Sequence, residues 1–146
     1  LKINLHLPRV RMMDLLTSTD IYPPWINELE LQVFRSSWGP LAPQEILFIE
    51  TPWAFARWSV NVVAKEAELL RIVTHPSHQR KGKAKQLLLA SEEYLKEHGV
   101  EHLLLEVRES NAVALKLYKN LGWSFYRQRI SYYPDGENAH LYEKSL

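Results

Sequence analysis

The sequence predicts an α/β (α+β) chain: a mixed, mostly antiparallel sheet with helices on both faces, in a single domain over residues 1–146. Three observations predict it. Apolar runs of strand length recur from Ile46 to the C-terminus, and two amphipathic stretches of helix length interrupt them. The strand–helix–strand order in the middle requires a parallel pair, whereas consecutive strands before and after it suit antiparallel pairing.

Taken in order, the first 54 residues are irregular and rich in proline and tryptophan, with one helical candidate from Asp20 to Phe34. There Ile26, Leu29, Val33 and Phe34 stand at helical spacing after Pro23-Pro24, and Ser36-Ser37-Trp38-Gly39-Pro40 ends the pattern. Ile46 to Ile49 reads as a short strand. Ala56, Trp58, Val60 and Val62 alternate with Arg57, Ser59 and Asn61, as on a half-buried strand. Glu68 to Thr74 is the next strand, ended by Pro76. Gly82 opens a helix running to about His98, with Ala84, Leu87, Leu88, Tyr94 and Leu95 as its apolar stripe and Gly99 as its stop. Leu103 to Val107 reads as a buried strand. Ser110 or Asn111 caps a second helix, with Val113, Leu117 and Leu121 on a four-residue step and Gly122 at its end. Strands around Trp123–Tyr132 and Ala139–Glu143 close the chain, joined by the turn Pro134-Asp135-Gly136.

Composition narrows the function. A chain of 146 residues, 46% hydrophobic and 24% charged, can bury roughly two-thirds of its unfolded surface without a metal or disulfide. Its 18 Lys and Arg against 17 Asp and Glu leave a formal net charge of +1, which argues against bulk nucleic-acid or membrane-surface binding. The absence of cysteine removes thiolate nucleophiles, disulfides and cysteine metal sites. No run of 18 apolar residues occurs, and Leu1 to Pro8 is too interrupted for a secretory core, so a cytoplasmic location is expected. His75 and His78 lie beside Pro76 with no carboxylate at ligand spacing, so no metal is expected.

The most informative stretch is Gln79-Arg80-Lys81-Gly82-Lys83-Ala84, between a strand and a helix. A helix start leaves N–H groups unpaired and carries partial positive charge. Arg80, Lys81, Lys83 and Lys85 are each unfavourable there by several tenths of a kcal/mol, so four together point to an anionic ligand. An ordinary capped helix with a solvated basic turn is the alternative. The stretch is neither a Rossmann nor a Walker loop, because it lacks their glycines and the Gly-Lys-Ser/Thr. Glu106 follows three leucines on a buried-looking strand, where a carboxylate must be paired or functional. Arg108, on the same strand face, is its candidate partner. Asn111 and Tyr118 are seven residues apart on one helix, so they differ by only about 20° around its axis.

Gln79 to Ala84 resembles the Gln/Arg-x-x-Gly-x-Gly/Ala signature of the GCN5-related N-acetyltransferase superfamily. The strand Ala67 to Pro76 leads into it as in that family, and Leu105-Glu106-Val107-Arg108-Glu109-Ser110-Asn111 through Tyr118 and Leu121-Gly122-Trp123 is similar to the segment of its ribosomal-protein-alanine members. Tyr132-Tyr133-Pro134-Asp135-Gly136-Glu137-Asn138-Ala139 resembles the ending shared by several N-terminal acetyltransferases. The resemblance covers residues 66 to 143 and departs at Lys83, usually aliphatic, at Ala84, usually glycine, and at Asn138, usually acidic.

The resemblance implies an acyltransferase using acetyl-CoA as cosubstrate, with Glu106 as general base and Tyr118 as general acid. It implies that Ile72, Val73, Thr74, Gln79, Arg80, Lys81, Gly82, Lys83, Ala84, Lys85 and Asn111 bind acetyl-CoA. It also implies that Tyr132 and Tyr133 meet the acceptor, a protein or peptide N-terminus such as that of a ribosomal protein beginning with alanine. Glu68 and His75 are weaker candidates for the base. Residue readings alone leave Asn111 as a helix cap and Tyr118 as a core aromatic. The acceptor stays open to a small-molecule amine, and a non-catalytic acyl-CoA-binding module is the alternative of another class.

Overall fold

The computed structural model describes residues 3–5 and 13–146. Its eight strands form one sheet in the order β1-β2-β3-β4-β5-β6-β8-β7. They are β1 (Ile3–Leu5), β2 (Met13–Thr17), β3 (Glu45–Glu50), β4 (Ala54–Asn61), β5 (Glu66–Thr74), β6 (His102–Arg108), β7 (Ser124–Arg129) and β8 (Ala139–Ser145), with helices α1 (Pro24–Phe34), α2 (Lys83–Glu97) and α3 (Ala112–Asn120). Among the described residues only β5 and β6 pair in parallel, across the α2 crossover. Every other neighbouring pair is antiparallel.

The helices cover both faces, as expected. On one face Leu87, Leu88 and Leu95 of α2 and Tyr118 of α3 pack on Phe48, Trp58, Leu69, Leu105 and Val107. On the other, Ile26 and Leu29 of α1 pack on Leu16, Leu47, Ile49, Phe55 and Val73. Being covered twice, β4 is buried from Ala54 to Trp58, Arg57 included, rather than half-buried as its alternation predicts. Arg57 is accommodated because it pairs with Glu45 and donates to the carbonyls of Gly39 and Pro40.

Double burial also explains what the sequence reading did not see. In β2, Met13 and Leu15 belong to one core and Leu16 to the other, so no alternation marks the strand. Helix α1 starts at Pro24 rather than Asp20, because the Asp20 carboxylate accepts from the Thr17 N–H at 2.8 Å and closes a turn. Val33 and Phe34 lie on its exposed side, and Val113 of α3 is 84% exposed, outside the expected stripe. The strand expected around Trp123–Tyr132 is confined to Ser124–Arg129 and lies exposed at the sheet edge.

The decisive irregularity lies in β5. Arg57 pairs with Arg71 but Trp58 pairs with Leu69, so Leu70 is an extra residue that bulges out. Side-chain parity flips there: Ala67 and Leu69 enter the α2 core, whereas Arg71 and Val73 turn to the α1 face. The parallel ladder with β6 stops at the same place, its last pair being Leu69 and Leu105.

Candidate active site

Past Leu69 and Leu105, strands β5 and β6 are no longer paired to each other, and a cavity of about 920 Å³ occupies the region. Leu70, Arg71, Ile72 and Thr74 line it from β5, and Glu106, Val107 and Arg108 from β6. The gap reaches both faces of the sheet. Leu105 and Val107 point to the α2/α3 face, so Glu106 and Arg108 between them point to the α1 face.

On the α2/α3 face the cavity meets the basic loop. Gly82 is the N-cap of α2 with φ 74°, a left-handed conformation that strains any L side chain, and no side chain caps the first turn. A Cβ placed at Gly82 meets nothing within 4 Å, so the N-cap itself is open. Gln79, Arg80, Ala84 and Lys85 line the cavity beside it, and the Gln79 amide donates to the Thr74 carbonyl at 3.3 Å. An anionic pyrophosphate fits this cradle. Lys81 does not line the cavity, nor does Val73, whose side chain is buried against α1. Lys83 does, but its ammonium turns to Glu50 at the end of β3, an ion pair in which Lys83 is 9% and Glu50 5% exposed. The lysine at a usually aliphatic position is thus buried with its own counter-ion.

Tyr118 lies on the same face, 5% exposed, and burial pushes its phenol up to about 12. Asn111 caps α3, its Oδ1 accepting from the Ala114 N–H at 3.2 Å, and it also lines the cavity. The cap reading of Asn111 and the core reading of Tyr118 are both fulfilled, while both residues still border the cavity.

On the α1 face Glu106 faces Arg129 of β7 at 3.4 Å, not Arg108 as the strand-face argument expects. Arg108 instead pairs with Asp135 at 2.8 Å and Glu137 at 2.9 Å, and stands over the Tyr133 ring at 4.0 Å. The neighbouring Glu106 carboxylate holds the Tyr132 phenol above its usual value. Partial burial, then the neighbouring Glu106, raises the Glu68 carboxyl. Tyr133 lines the cavity, whereas Tyr132, its ring packed edge-on against Tyr133, does not. Asn138 accepts from the Ser131 N–H at 2.7 Å and donates to Glu109 at 3.2 Å. An acidic side chain could do the first but would repel Glu109.

Three residues of this face, Arg71, Phe34 and Trp38, lie outside the expected site. Arg71 lines the cavity, with Phe34 at 4.2 Å and Trp38 at 3.8 Å from its guanidinium carbon, and faces the buried Glu30 at 3.3 Å. Its signal was available: a charge inside Leu69-Leu70-Arg71-Ile72-Val73 is the same anomaly that singles out Glu106. His75 does not border the cavity, whereas His78 does and stacks on Trp53 at 3.7 Å. Among the described residues no group of three His, Asp or Glu is placed to hold a metal ion, and no helix is long and apolar enough to cross a membrane.

Known proteins share both the sequence pattern and the fold. The [ribosomal protein bS18]-alanine N-acetyltransferase of Escherichia coli K12 is 44% identical over 74 residues, 51% of this chain and 50% of that protein, so the match spans about half the relative's length. The crystal structure of the ribosomal-protein-S18-alanine N-acetyltransferase from Escherichia coli superposes with a TM-score of 0.70 at 28% identity, covering 92% of this chain and 94% of the other. A Bacillus subtilis acetyltransferase in complex with CoA reaches 0.72 over 92% and 97%, at 16% identity, a likeness of fold alone. The model of the acetyltransferase (GNAT) family matches residues 15–123, and the chain belongs to that family.

Proposed function

We propose that the chain transfers an acetyl group from acetyl-CoA to the α-amine of a protein N-terminus, with a ribosomal protein beginning with alanine as the leading acceptor. One observation carries the reading. The gap between β5 and β6 joins a basic, open helix start on one face to Glu106 and Tyr133 on the other. A thioester can therefore reach an amine through the sheet while each substrate keeps its own face. The single domain over residues 1–146 is the unit proposed to do this.

Acetyl-CoA supplies an activated acetyl thioester. Arg80, Lys85 and the first-turn N–H groups of α2 hold its phosphates, with Gly82 admitting them to the backbone. Lys81, outside the cavity rim, adds only long-range attraction. Asn111 flanks the pantetheine arm. Glu106 takes the proton of the acceptor amine, directly or through one water. The α-amine suits a modest base, since its pKa of about 7.7–8.0 leaves it far richer in free base at neutral pH than a lysine near 10.4. N–H groups of Ile72 and Thr74 on the unpaired edge of β5, Val73 being paired with Phe55 of β4, receive the charge that develops on the acetyl oxygen. Tyr118, kept protonated by burial, gives its proton to the departing sulfur.

Mass spectrometry after incubation with acetyl-CoA and a mixture of peptides, lysine ε-amines and polyamines tests the reading. Acetylation at peptide α-amines is the expected result. Faster acetylation of a small amine than of any N-terminal peptide overturns the acceptor assignment, and CoA binding without transfer to any amine overturns the catalytic one.

A further inference from the structure

Two loops wall the α1 face of the gap: residues 35–44 between α1 and β3, and residues 130–138 between β7 and β8. Each is fastened by an arginine from one of the two separating strands. Arg71 follows the bulge on β5, and Arg108 ends β6. Both guanidinium groups lie against aromatic rings of their loop, and both meet acids on the loop or on the helix that leads into it.

We propose that Arg71 and Arg108 are positioning residues that hold the two walls of the acceptor cleft in place before the acceptor arrives. The proposal rests on the acceptor reading above.

The fastening of each wall is continuous. At the first, Glu30 is fully buried, faces Arg71 with one carboxylate oxygen and accepts the Trp38 N–H at 2.9 Å with the other. Trp38 is thereby laid over Arg71 from both backbone and ring, and Ser37 donates to Asn27 at 2.7 Å one residue earlier. Arg57 anchors the next two carbonyls, those of Gly39 and Pro40. At the second wall, the Glu137 carboxylate bridges Arg108 and the Ser110 N–H at 2.9 Å each. The Glu137 carbonyl accepts the Tyr133 N–H at 3.1 Å, and Gly136 N–H closes the turn on the Tyr133 carbonyl at 2.8 Å. Arg108 therefore fixes Tyr133 twice, through its ring face and through Glu137. These bonds fall on wall residues that border the cavity, namely Trp38 and Tyr133. A cleft ordered in advance spares the acceptor the entropy of ordering it, so loosening a clasp should appear in acceptor affinity.

The test uses Arg108→Gln, Arg108→Lys and Arg71→Lys in the full chain. Arg108 is 40% exposed, so its variants keep the fold, and unchanged CoA affinity verifies this for all three. Amide hydrogen exchange should rise at Tyr133, Gly136 and Glu137 in Arg108→Gln and at Trp38 in Arg71→Lys, in each case sparing the other wall. Peptide KM should rise about tenfold in Arg108→Gln, as expected for loss of a charge-assisted hydrogen bond, with kcat changed far less. Arg108→Lys, which keeps the charge but not the planar fork, should recover part of the loss. Unchanged exchange at either wall overturns the clasp whatever the acceptor proves to be. Faster exchange with peptide KM unchanged overturns its role in acceptor binding, and a wild type that acetylates no peptide removes the acceptor reading and this role with it.

Discussion

Lys83→Met removes an ammonium from a site where both partners of an ion pair are more than nine-tenths buried. Taking away one member of such a pair costs about 3–5 kcal/mol, chiefly because the remaining carboxylate loses this ammonium while staying away from water. For a chain of 146 residues, each kcal/mol corresponds to roughly 2–4 °C, so the melting temperature should fall by roughly 6–20 °C. Adding Glu50→Leu should recover most of that loss, since an apolar pair of similar volume removes both desolvation penalties at once. Urea denaturation of the wild type, both single variants and the double closes the cycle. The singles should be strongly non-additive. CoA affinity supplies an independent check: the double variant should bind CoA within about twofold of wild type, because the ammonium serves Glu50 and not the phosphate cradle. Additive singles, or a loss below about 1 kcal/mol in Lys83→Met, would refute the coupling. A tenfold fall in CoA affinity in the double variant would return Lys83 to the cradle.

Glu106→Gln should lower turnover by about 10²–10⁴-fold while leaving CoA affinity unchanged, and the deficit should shrink as rising pH deprotonates the amine unaided; steady-state rates at two pH values decide this. On the proposed mechanism Tyr118→Phe should lower turnover with no such rescue, because there the missing proton is the one given to sulfur. The same variant has a stability signature. With its folded pKa raised to about 12 against an ordinary value near 10, Tyr118 favours folding fully below pH 10, and that contribution fades as pH rises towards about 12. In Tyr118→Phe the alkaline decline, worth about 3 kcal/mol for two pKa units, should be smaller, as pH-dependent denaturation would show. Gly82→Val meets no neighbouring atom but forces a β-branched residue to φ 74°, so it should shift the loop and weaken CoA binding by isothermal titration.

Much of the candidate site was legible because its proposed chemistry sits in contiguous motifs. The basic turn from Gln79 to Lys85 contradicts helix electrostatics, and Glu106 contradicts its apolar strand, so each announces itself without a partner in view. Asn111 and Tyr118 needed only helical spacing and the family pattern. Pairing was less legible. The Arg129 partner of Glu106 comes from a strand 23 residues on, across β8, and nothing local favours it over Arg108. The N-terminal third was least legible, since strands buried on both faces lose the alternation by which strands are recognised. The bulge at Leu70 was invisible for a related reason: Leu69-Leu70 reads as uninterrupted core, although the two residues stand on either side of a change of face.

The early end of the β5–β6 ladder has a mechanical consequence. Beyond it the sheet is two leaves, β1 to β5 and the trio β6, β8 and β7, hinged on a seam four residue pairs long from Glu66–His102 to Leu69–Leu105. Glu92 of α2 is a cross-tie near the seam, holding the Trp123 indole N–H at 3.0 Å and the Lys144 ammonium at 2.6 Å. At the open end the two edges have no hydrogen-bond partners in each other, so an extended arm bound between the leaves would act as a splint. Such a ligand would complete the sheet as well as occupy it, and the stiffness of the C-terminal leaf would become a property of the loaded protein.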